Sequence, residues 1–154
     1  MGRWENISKM NPKRPRKKSE ELEIYTDGAS RGNPGPGSYA FVFKRKEGKV
    51  FLRDSGYIGH TTNNQAEYIA IIKAIEKSKE VNKTKISLYS DSKLVVNQLN
   101  QKWRVKDDKL RKLYNKALKY IEEEKVGFSH VSRENRYIKI ADKLCNQVLD
   151  KKGH

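Results

Sequence analysis

The 154-residue sequence has little cysteine, proline or histidine and no long apolar run: it contains 1 Cys, 4 Pro and 3 His. The lone thiol of Cys145 excludes an internal disulfide and a zinc site built from cysteines. Its neighbours Leu144 and Val148 predict ordinary burial in a core. No apolar run approaches the roughly 20 residues of a membrane span, and the N-terminus lacks the apolar centre of a signal peptide. We therefore expect no membrane segment and a cytoplasmic protein, or a nuclear one if the source is eukaryotic.

Acidic residues are also scarce, because 19 Asp and Glu stand against 34 Lys and Arg, a formal net charge of +15. This excess favours a polyanionic partner, with nucleic acid the first candidate and an anionic membrane surface the second. A basic protein whose charges are merely solvated is an equally good interpretation of the charge alone.

The first 19 residues hold seven basic residues and one acidic residue, so they carry +6 of the net charge and leave +9 on the remainder. This composition predicts a disordered tail over residues 1–21. Such a tail either serves solubility, adds salt-sensitive affinity for phosphates, or acts as a localisation signal. Residues 151–154 are expected to form a short C-terminal tail.

Residues 22–150 read as one folded domain. Three β-rich segments come first and predict an antiparallel meander, after which strands and helices alternate. Such an order implies an α/β fold whose mixed sheet has helical crossovers. Thr62 and Gln65 form a capping-box pattern at the start of the first long helix. The predicted strands cover 22–27, 38–45, 50–59, 85–91 and 126–131, and the later helices cover 92–100, about 108–124 and a segment that ends near 149.

Two of the predicted strands end in the same short pattern: "IYTD" ends at Asp27 and "LYSD" ends at Asp91. If these strands pair in parallel, as the intervening crossover suggests, both carboxylates leave the same end of the sheet, about 5 Å apart from strand to strand. The carboxyl ends of parallel strands are where α/β sheets place their ligands.

Two further acids lie on helix faces that should be apolar. Glu67 falls on the face predicted to meet the sheet, and Asp142 lies at the edge of the apolar face of the last helix. Singly, the four acids have ordinary explanations as helix caps, turn residues or partners of a buried lysine. Together they are better explained as ligands of a shared divalent cation such as Mg²⁺, which prefers carboxylate oxygen.

Four sequence blocks, each with one of these acids, resemble the type 1 ribonuclease H family in order and approximate spacing. The resemblance covers about 22–149 and implies a catalytic domain with a five-stranded mixed sheet flanked by helices. It implies hydrolysis of the RNA strand of an RNA/DNA hybrid. A monomer is the default expectation. It also implies that Asp27, Glu67, Asp91 and Asp142 are the catalytic, metal-binding residues. The blocks are "YTDGASRGNPGPG", "TTNNQAEYIAI", "YSDSKLVVNQLNQKW" and "IADKLCN".

The mechanism that the resemblance implies uses two Mg²⁺ ions, with Mn²⁺ as a substitute. One ion activates a water and the other stabilises the leaving 3′ oxygen, which gives 5′-phosphate and 3′-hydroxyl products. Glu67 is also expected to contact a ribose 2′-hydroxyl, the group that distinguishes RNA from DNA. Further substrate contacts are implied for Gly28, Asn33, Thr62, Asn63, Asn64, Gln65, Trp103, Arg104 and Arg133.

Trp103 lies among basic residues in the segment 100–116. An exposed aromatic surrounded by cations suits a nucleic-acid groove, and the alternative is a solvated helix face with Trp103 in the core. With the family resemblance we favour the groove, with Trp103 beside the DNA strand.

The resemblance fails at one place. Many bacterial members carry a mobile-loop histidine about ten residues before the last Asp, where this sequence has Ser132, Arg133 and Glu134. Arg133 or Glu134 is expected to replace it, Arg133 as a phosphate contact. His130 is expected to be a packing residue of the last strand, and the segment 135–140 is expected to lengthen the loop.

Three other functions fit parts of the sequence. A binding module with the same fold and a decayed site is disfavoured by the presence of all four acids. A nuclease or integrase of the wider superfamily that acts on DNA is disfavoured by the blocks "NPGPG" and "TTNNQAE". A detached reverse-transcriptase domain is the third alternative.

Overall fold

A five-stranded mixed sheet lies at the centre of the computed structural model, which describes residues 20–154. Its spatial order is β3-β2-β1-β4-β5. The first three strands pair antiparallel, while β4 and β5 run parallel to β1. The predicted mixed sheet is confirmed. The strands are β1 (Glu21–Ser30), β2 (Gly35–Arg45), β3 (Val50–Thr61), β4 (Lys85–Ser90) and β5 (Val126–His130).

Four helices cover the two faces of this sheet: α1 (Asn63–Ser78), α2 (Lys93–Leu99), α3 (Asp108–Glu124) and α4 (Arg136–Lys151). The larger core lies between the sheet and α1, α2 and α3, and it includes Ile24, Tyr68 and Leu88. The smaller core lies on the opposite face, where Cys145 of α4 packs against Val42. Within residues 20–154, no helix is long and apolar enough to cross a membrane.

The first strand differs from its prediction because it does not end at Asp27. Its parallel pairing with β4 stops at Tyr25 and Tyr89. Its antiparallel pairing with β2 continues as far as Ser30 opposite Gly37. Asp27 therefore lies inside β1 but beyond the end of its parallel ladder, since β4 ends at Ser90.

The starts of two helices test two further predictions. The capping box of α1 is confirmed, since Thr62 Oγ1 accepts from the Gln65 amide and Gln65 Oε1 accepts from the Thr62 amide. The expectation that 135–140 lengthens a loop is wrong, because Asn135 Oδ1 caps the amides of the first turn and α4 begins at Arg136.

The two ends of the chain were both predicted to be tails. The chain after α4 folds back on the helix, where the amide of His154 donates to the Leu149 carbonyl at 3.0 Å. The disordered tail predicted over residues 1–21 is wrong at its end, because β1 begins at Glu21. Residues 1–19 lie outside the described residues, so disorder there stays a prediction.

Candidate active site

Three carboxylates meet beyond the carboxyl ends of the parallel β1–β4 pair. Asp27 comes from β1, Asp91 follows β4, and Glu67 comes from the second turn of α1. Their side chains each offer an oxygen atom, and these atoms all lie within 4.8 Å of one another. Asp27 is only 7% exposed and Glu67 9%. The structure thus brings three of the four predicted ligands together in a shielded group.

Gly28 allows α1 to come close enough for Glu67 to join this group. A Cβ atom at Gly28 would lie 2.5 Å from the Glu67 amide nitrogen and would overlap the Ala66 carbonyl group. A strand glycine often marks such a close approach of two backbones. Gly28 therefore has a structural reason to lack a side chain, apart from its predicted substrate contact.

Asp142, the fourth predicted ligand, is placed differently. It is exposed on α4 and lies outside the group whose oxygens are within 4.8 Å of one another. It nevertheless lines the same cleft, about 670 Å³ in volume, with Asp27, Glu67 and Asp91. Its charge is close enough to raise the pKa of Asp27.

Burial dominates the electrostatics of the group. Burial, with the charges of Asp91 and Asp142, raises the pKa of Asp27 to about 8. Burial and the charges of Asp27 and Asp91 raise the pKa of Glu67 well above its usual range. The Gly28 amide opposes both shifts. Within residues 20–154, buried Glu67 Oε1 has no hydrogen-bond partner.

These residues fit a divalent cation. Crowded carboxylates raise one another's pKa, and a hard cation relieves this repulsion by binding their oxygens. The orphaned oxygen of Glu67 is the kind of buried polar atom that calls for a partner.

Two basic residues lie near Asp91: His130 at the end of β5 and Arg133 in the segment after it. Burial raises the pKa of Asp91, and the nearby charges of Arg133 and His130 lower it. The expectation that His130 is a packing residue is wrong: it is exposed at the end of β5 and lines a cleft with Asp91 and Glu67. Glu134 instead pairs with Lys139 at 2.9 Å, which lowers the pKa of Glu134.

Two predicted substrate asparagines hold the loop after β1 to the start of α1. Asn33 Oδ1 accepts from the Asn63 amide at 3.0 Å, and Asn63 Oδ1 accepts from the amide and the hydroxyl of Ser30, both at 3.0 Å. Both oxygens therefore accept hydrogen bonds within the protein, while no hydrogen bond of the described residues uses the amide nitrogen of either side chain, which leaves both nitrogens able to donate to a substrate.

A second cleft, about 580 Å³ in volume, brings together four of the predicted substrate residues. It lies between the loop after β1, the start of α1 and the start of α3, and Lys109 adds a positive charge. The oxygen of Gln65 is occupied by the capping box and by the Thr61 hydroxyl at 3.1 Å. The four residues are Asn33, Thr62, Asn64 and Gln65.

Trp103 is 50% exposed, so its alternative placement in the core is wrong. It lines a separate cleft of about 290 Å³ with Arg104, Lys102 and Arg111. This combination of an aromatic ring and cations is the arrangement expected for a surface that meets nucleic acid.

The family model named RNase H matches residues 19–149 of this chain. The chain belongs to the RNase H family. Among curated relatives within this family, Ribonuclease HI of Halobacterium salinarum is 38% identical over 134 residues, which cover 84% of this chain and 64% of that protein. The bifunctional protein Rv2228c of Mycobacterium tuberculosis is 37% identical over 84% of this chain and 36% of its own length. This chain thus spans less than two thirds of either relative.

Solved structures in the RNase H family agree with the fold. The crystal structure of RNase H1 from Halobacterium salinarum has a TM-score of 0.80 at 36% identity, covering 85% of this chain and 98% of that one. LC11-RNase H1 in complex with an RNA/DNA hybrid has a TM-score of 0.79 at 34% identity, covering 86% of this chain and 99% of that one. The predicted family and fold are confirmed.

Sequence reasoning about this RNase H family chain missed two polar side chains. Arg31 and Asn146 are separated by 115 residues, and Arg31 Nη2 donates to Asn146 Oδ1 at 3.1 Å. No local pattern signals this pairing, although Arg31 stands in one of the family blocks.

Proposed function

We propose that this chain is a metal-dependent endonuclease that hydrolyses the RNA strand of RNA/DNA hybrids and leaves 5′-phosphate and 3′-hydroxyl ends. The observation that carries the proposal is the group of three carboxylates with oxygens within 4.8 Å of one another. A solved relative that binds an RNA/DNA hybrid supports the choice of substrate.

Asp27, Glu67 and Asp91, with Asp142 beside them, would hold two Mg²⁺ ions, and Mn²⁺ would substitute. When bound, such ions supply Lewis-acid activation of water and stabilisation of the leaving oxygen. The protein's own part is to hold the carboxylates close together before metal binds. Because burial raises the pKa of Asp27 to about 8, metal binding near neutral pH would release a proton.

Residues around the four acids would contact the substrate in this proposal. In this proposal Arg133 would contact a phosphate beside Asp91, and Glu67 would contact a ribose 2′-hydroxyl. The cleft with Lys109 would hold a backbone segment of the hybrid. The cleft with Trp103 and Arg104 would hold the DNA strand by stacking and charge. The cytoplasmic location and the monomeric state stay predictions from the sequence.

The test is cleavage of an end-labelled RNA/DNA hybrid in Mg²⁺, in Mn²⁺ and in EDTA. The same sequence as double-stranded RNA and as double-stranded DNA serves for comparison, and phosphatase treatment of the products identifies their ends. Asp27→Asn and Asp91→Asn remove a ligand with little change in volume. Asp54→Asn is the matched control, because Asp54 is an exposed acid on β3 that lines a different cleft.

We expect metal-dependent cuts in the RNA strand that are lost in Asp27→Asn and Asp91→Asn but kept in Asp54→Asn, with hybrid binding retained in all three. Tight hybrid binding without cleavage in either metal would leave a binding module. Cleavage of double-stranded DNA would point to the wider superfamily.

A further inference from the structure

Arg31, just after β1, connects the first loop to the last helix. Its Nη1 donates to Asp150 Oδ1 at 2.8 Å and to the His154 carbonyl at 2.6 Å. Its Nη2 donates to Asn146 Oδ1 at 3.1 Å and to the Asn146 carbonyl at 3.4 Å. A planar guanidinium that donates hydrogen bonds through both of its terminal nitrogens fixes the orientation of its partners as well as their distance from it.

The side chain of Asn146 links Arg31 to Asp142 by hydrogen bonds. While its oxygen accepts from Arg31, its Nδ2 donates to the Asp142 carbonyl at 3.1 Å, one helical turn earlier in α4. The amide group of Asn146 can satisfy both bonds only in one orientation. A continuous chain of hydrogen bonds therefore runs from Arg31 through Asn146 to the backbone of Asp142.

The same loop is fixed to α1 at its other end. Ser30 and Asn33 both bond to Asn63, which lies one helical turn before Glu67. The loop between them is tight: the Arg31 amide donates to the Pro36 carbonyl at 2.8 Å, and a Cβ atom at Gly35 would overlap the Arg31 carbonyl. One short loop thus connects two helices that cover opposite faces of the sheet and carry Glu67 and Asp142.

Asp142 depends on such a connection more than Asp27 and Glu67 do. Asp27 and Glu67 are held by burial and by the close backbone approach at Gly28. Asp142 is exposed, so packing around its side chain does not fix it. Its distance from Asp27 follows from how α4 docks on the sheet.

We propose that Arg31 is a positioning residue which, through Asn146, holds Asp142 at its distance from Asp27 and so sets the affinity of the site for divalent metal. This inference rests on the proposed function, because it takes Asp142 as a metal ligand. A plain surface ion pair between Arg31 and Asp150 would contribute little to stability and nothing to metal affinity.

The test compares metal binding among Arg31→Ala, Arg31→Lys, Asn146→Ala and the double variant Arg31→Ala/Asn146→Ala. Mn²⁺ affinity is measured by calorimetry without substrate. The Mg²⁺ concentration for half-maximal hybrid cleavage is measured separately, at a temperature well below every melting point. Lys46→Ala is the matched control, since it removes the exposed 3.6 Å ion pair to Glu21 at the far end of β1.

We expect Arg31→Ala and Asn146→Ala each to weaken Mn²⁺ binding by about 10-fold, the range typical of groups that orient metal ligands. The double variant should be no weaker than the worse single variant, because both changes break one chain of bonds. Arg31→Lys should restore little, since an ammonium group cannot reproduce the fork. Lys46→Ala should bind Mn²⁺ like the wild type.

The inference is overturned if Arg31→Ala binds Mn²⁺ with wild-type affinity while the wild type binds metal and cleaves the hybrid, whatever its melting point. A wild type that neither binds Mn²⁺ nor cleaves would instead refute the proposed function. If Arg31→Ala does not fold, Arg31→Gln serves in its place, because it keeps an extended polar side chain and removes the guanidinium fork.

Discussion

The close approach of β1 and α1 at Gly28 gives the sharpest test of the site's architecture, through the substitution Gly28→Ala. The added methyl group would lie 2.5 Å from the Glu67 amide nitrogen and closer still to the Ala66 carbonyl group. Both neighbours are backbone atoms within a helix, so they cannot rotate away as a flexible side chain could. The helix must move away from the strand, and Glu67 moves with it.

Overpacking of this kind costs about 1 to 3 kcal/mol in the free energy of unfolding. For a domain of this size, such a loss lowers the melting temperature by about 3 to 12 °C. The displacement should also reduce the cleavage rate, on the order of 100-fold, because it moves one ligand by a sizeable fraction of an ångström. Metal-induced stabilisation, read as the rise in melting temperature with Mn²⁺, should shrink in parallel.

Gly127→Ala is the matched control, because its added Cβ would meet only the Ile86 carbonyl at an ordinary 3.8 Å. Thermal melts with and without Mn²⁺, followed by cleavage assays on both variants, decide the matter. If Gly28→Ala melts, binds Mn²⁺ and cleaves like Gly127→Ala, the tight contact does not hold Glu67 in the site and the reasoning is wrong.

Three further predictions concern Asp27, Tyr68 and Arg104. Because burial raises the pKa of Asp27 from 3.8 to about 8, the folded state binds the extra proton in that window, so metal-free protein should lose stability as the pH rises from 4 to 8. Thermal melts in EDTA should show a smaller loss of stability between pH 4 and pH 8 for Asp27→Asn than for the wild type. An equal loss in the two proteins would contradict this prediction. Tyr68→Phe should lower the free energy of unfolding, measured in urea, by about 1 to 3 kcal/mol. The Tyr68 hydroxyl donates to buried Gln98 Oε1 at 2.6 Å, and its removal leaves that oxygen without this partner. Tyr120→Phe, at a half-buried site, should cost clearly less, and equal losses would refute the difference. Arg104→Gln should weaken hybrid binding and reduce the slope of log affinity against log salt by about 0.9 per lost phosphate contact, with no change in melting temperature. An unchanged slope would remove Arg104 from the interface.

Local sequence patterns determined much of this protein. The limits of α3 and the capping box at Thr62 follow from residues within a few positions of each other, where helix periodicity and capping act. The repeated Tyr and Asp pattern of two strands, with a crossover between them, was enough to place Asp27 and Asp91 at the same end of the sheet. These features depend on short-range spacing, which a sequence displays directly.

The tertiary structure alone decided the finer arrangement of the site. Asp27 lies inside β1 because β2 continues to pair with it after β4 has ended. Glu67 reaches Asp27 because a strand glycine admits the backbone of α1, while Asp142 stays exposed. Arg31 meets Asn146 across 115 residues of chain. Each of these outcomes depends on packing between elements distant in sequence, where distances of an ångström are set by shape and not by pattern.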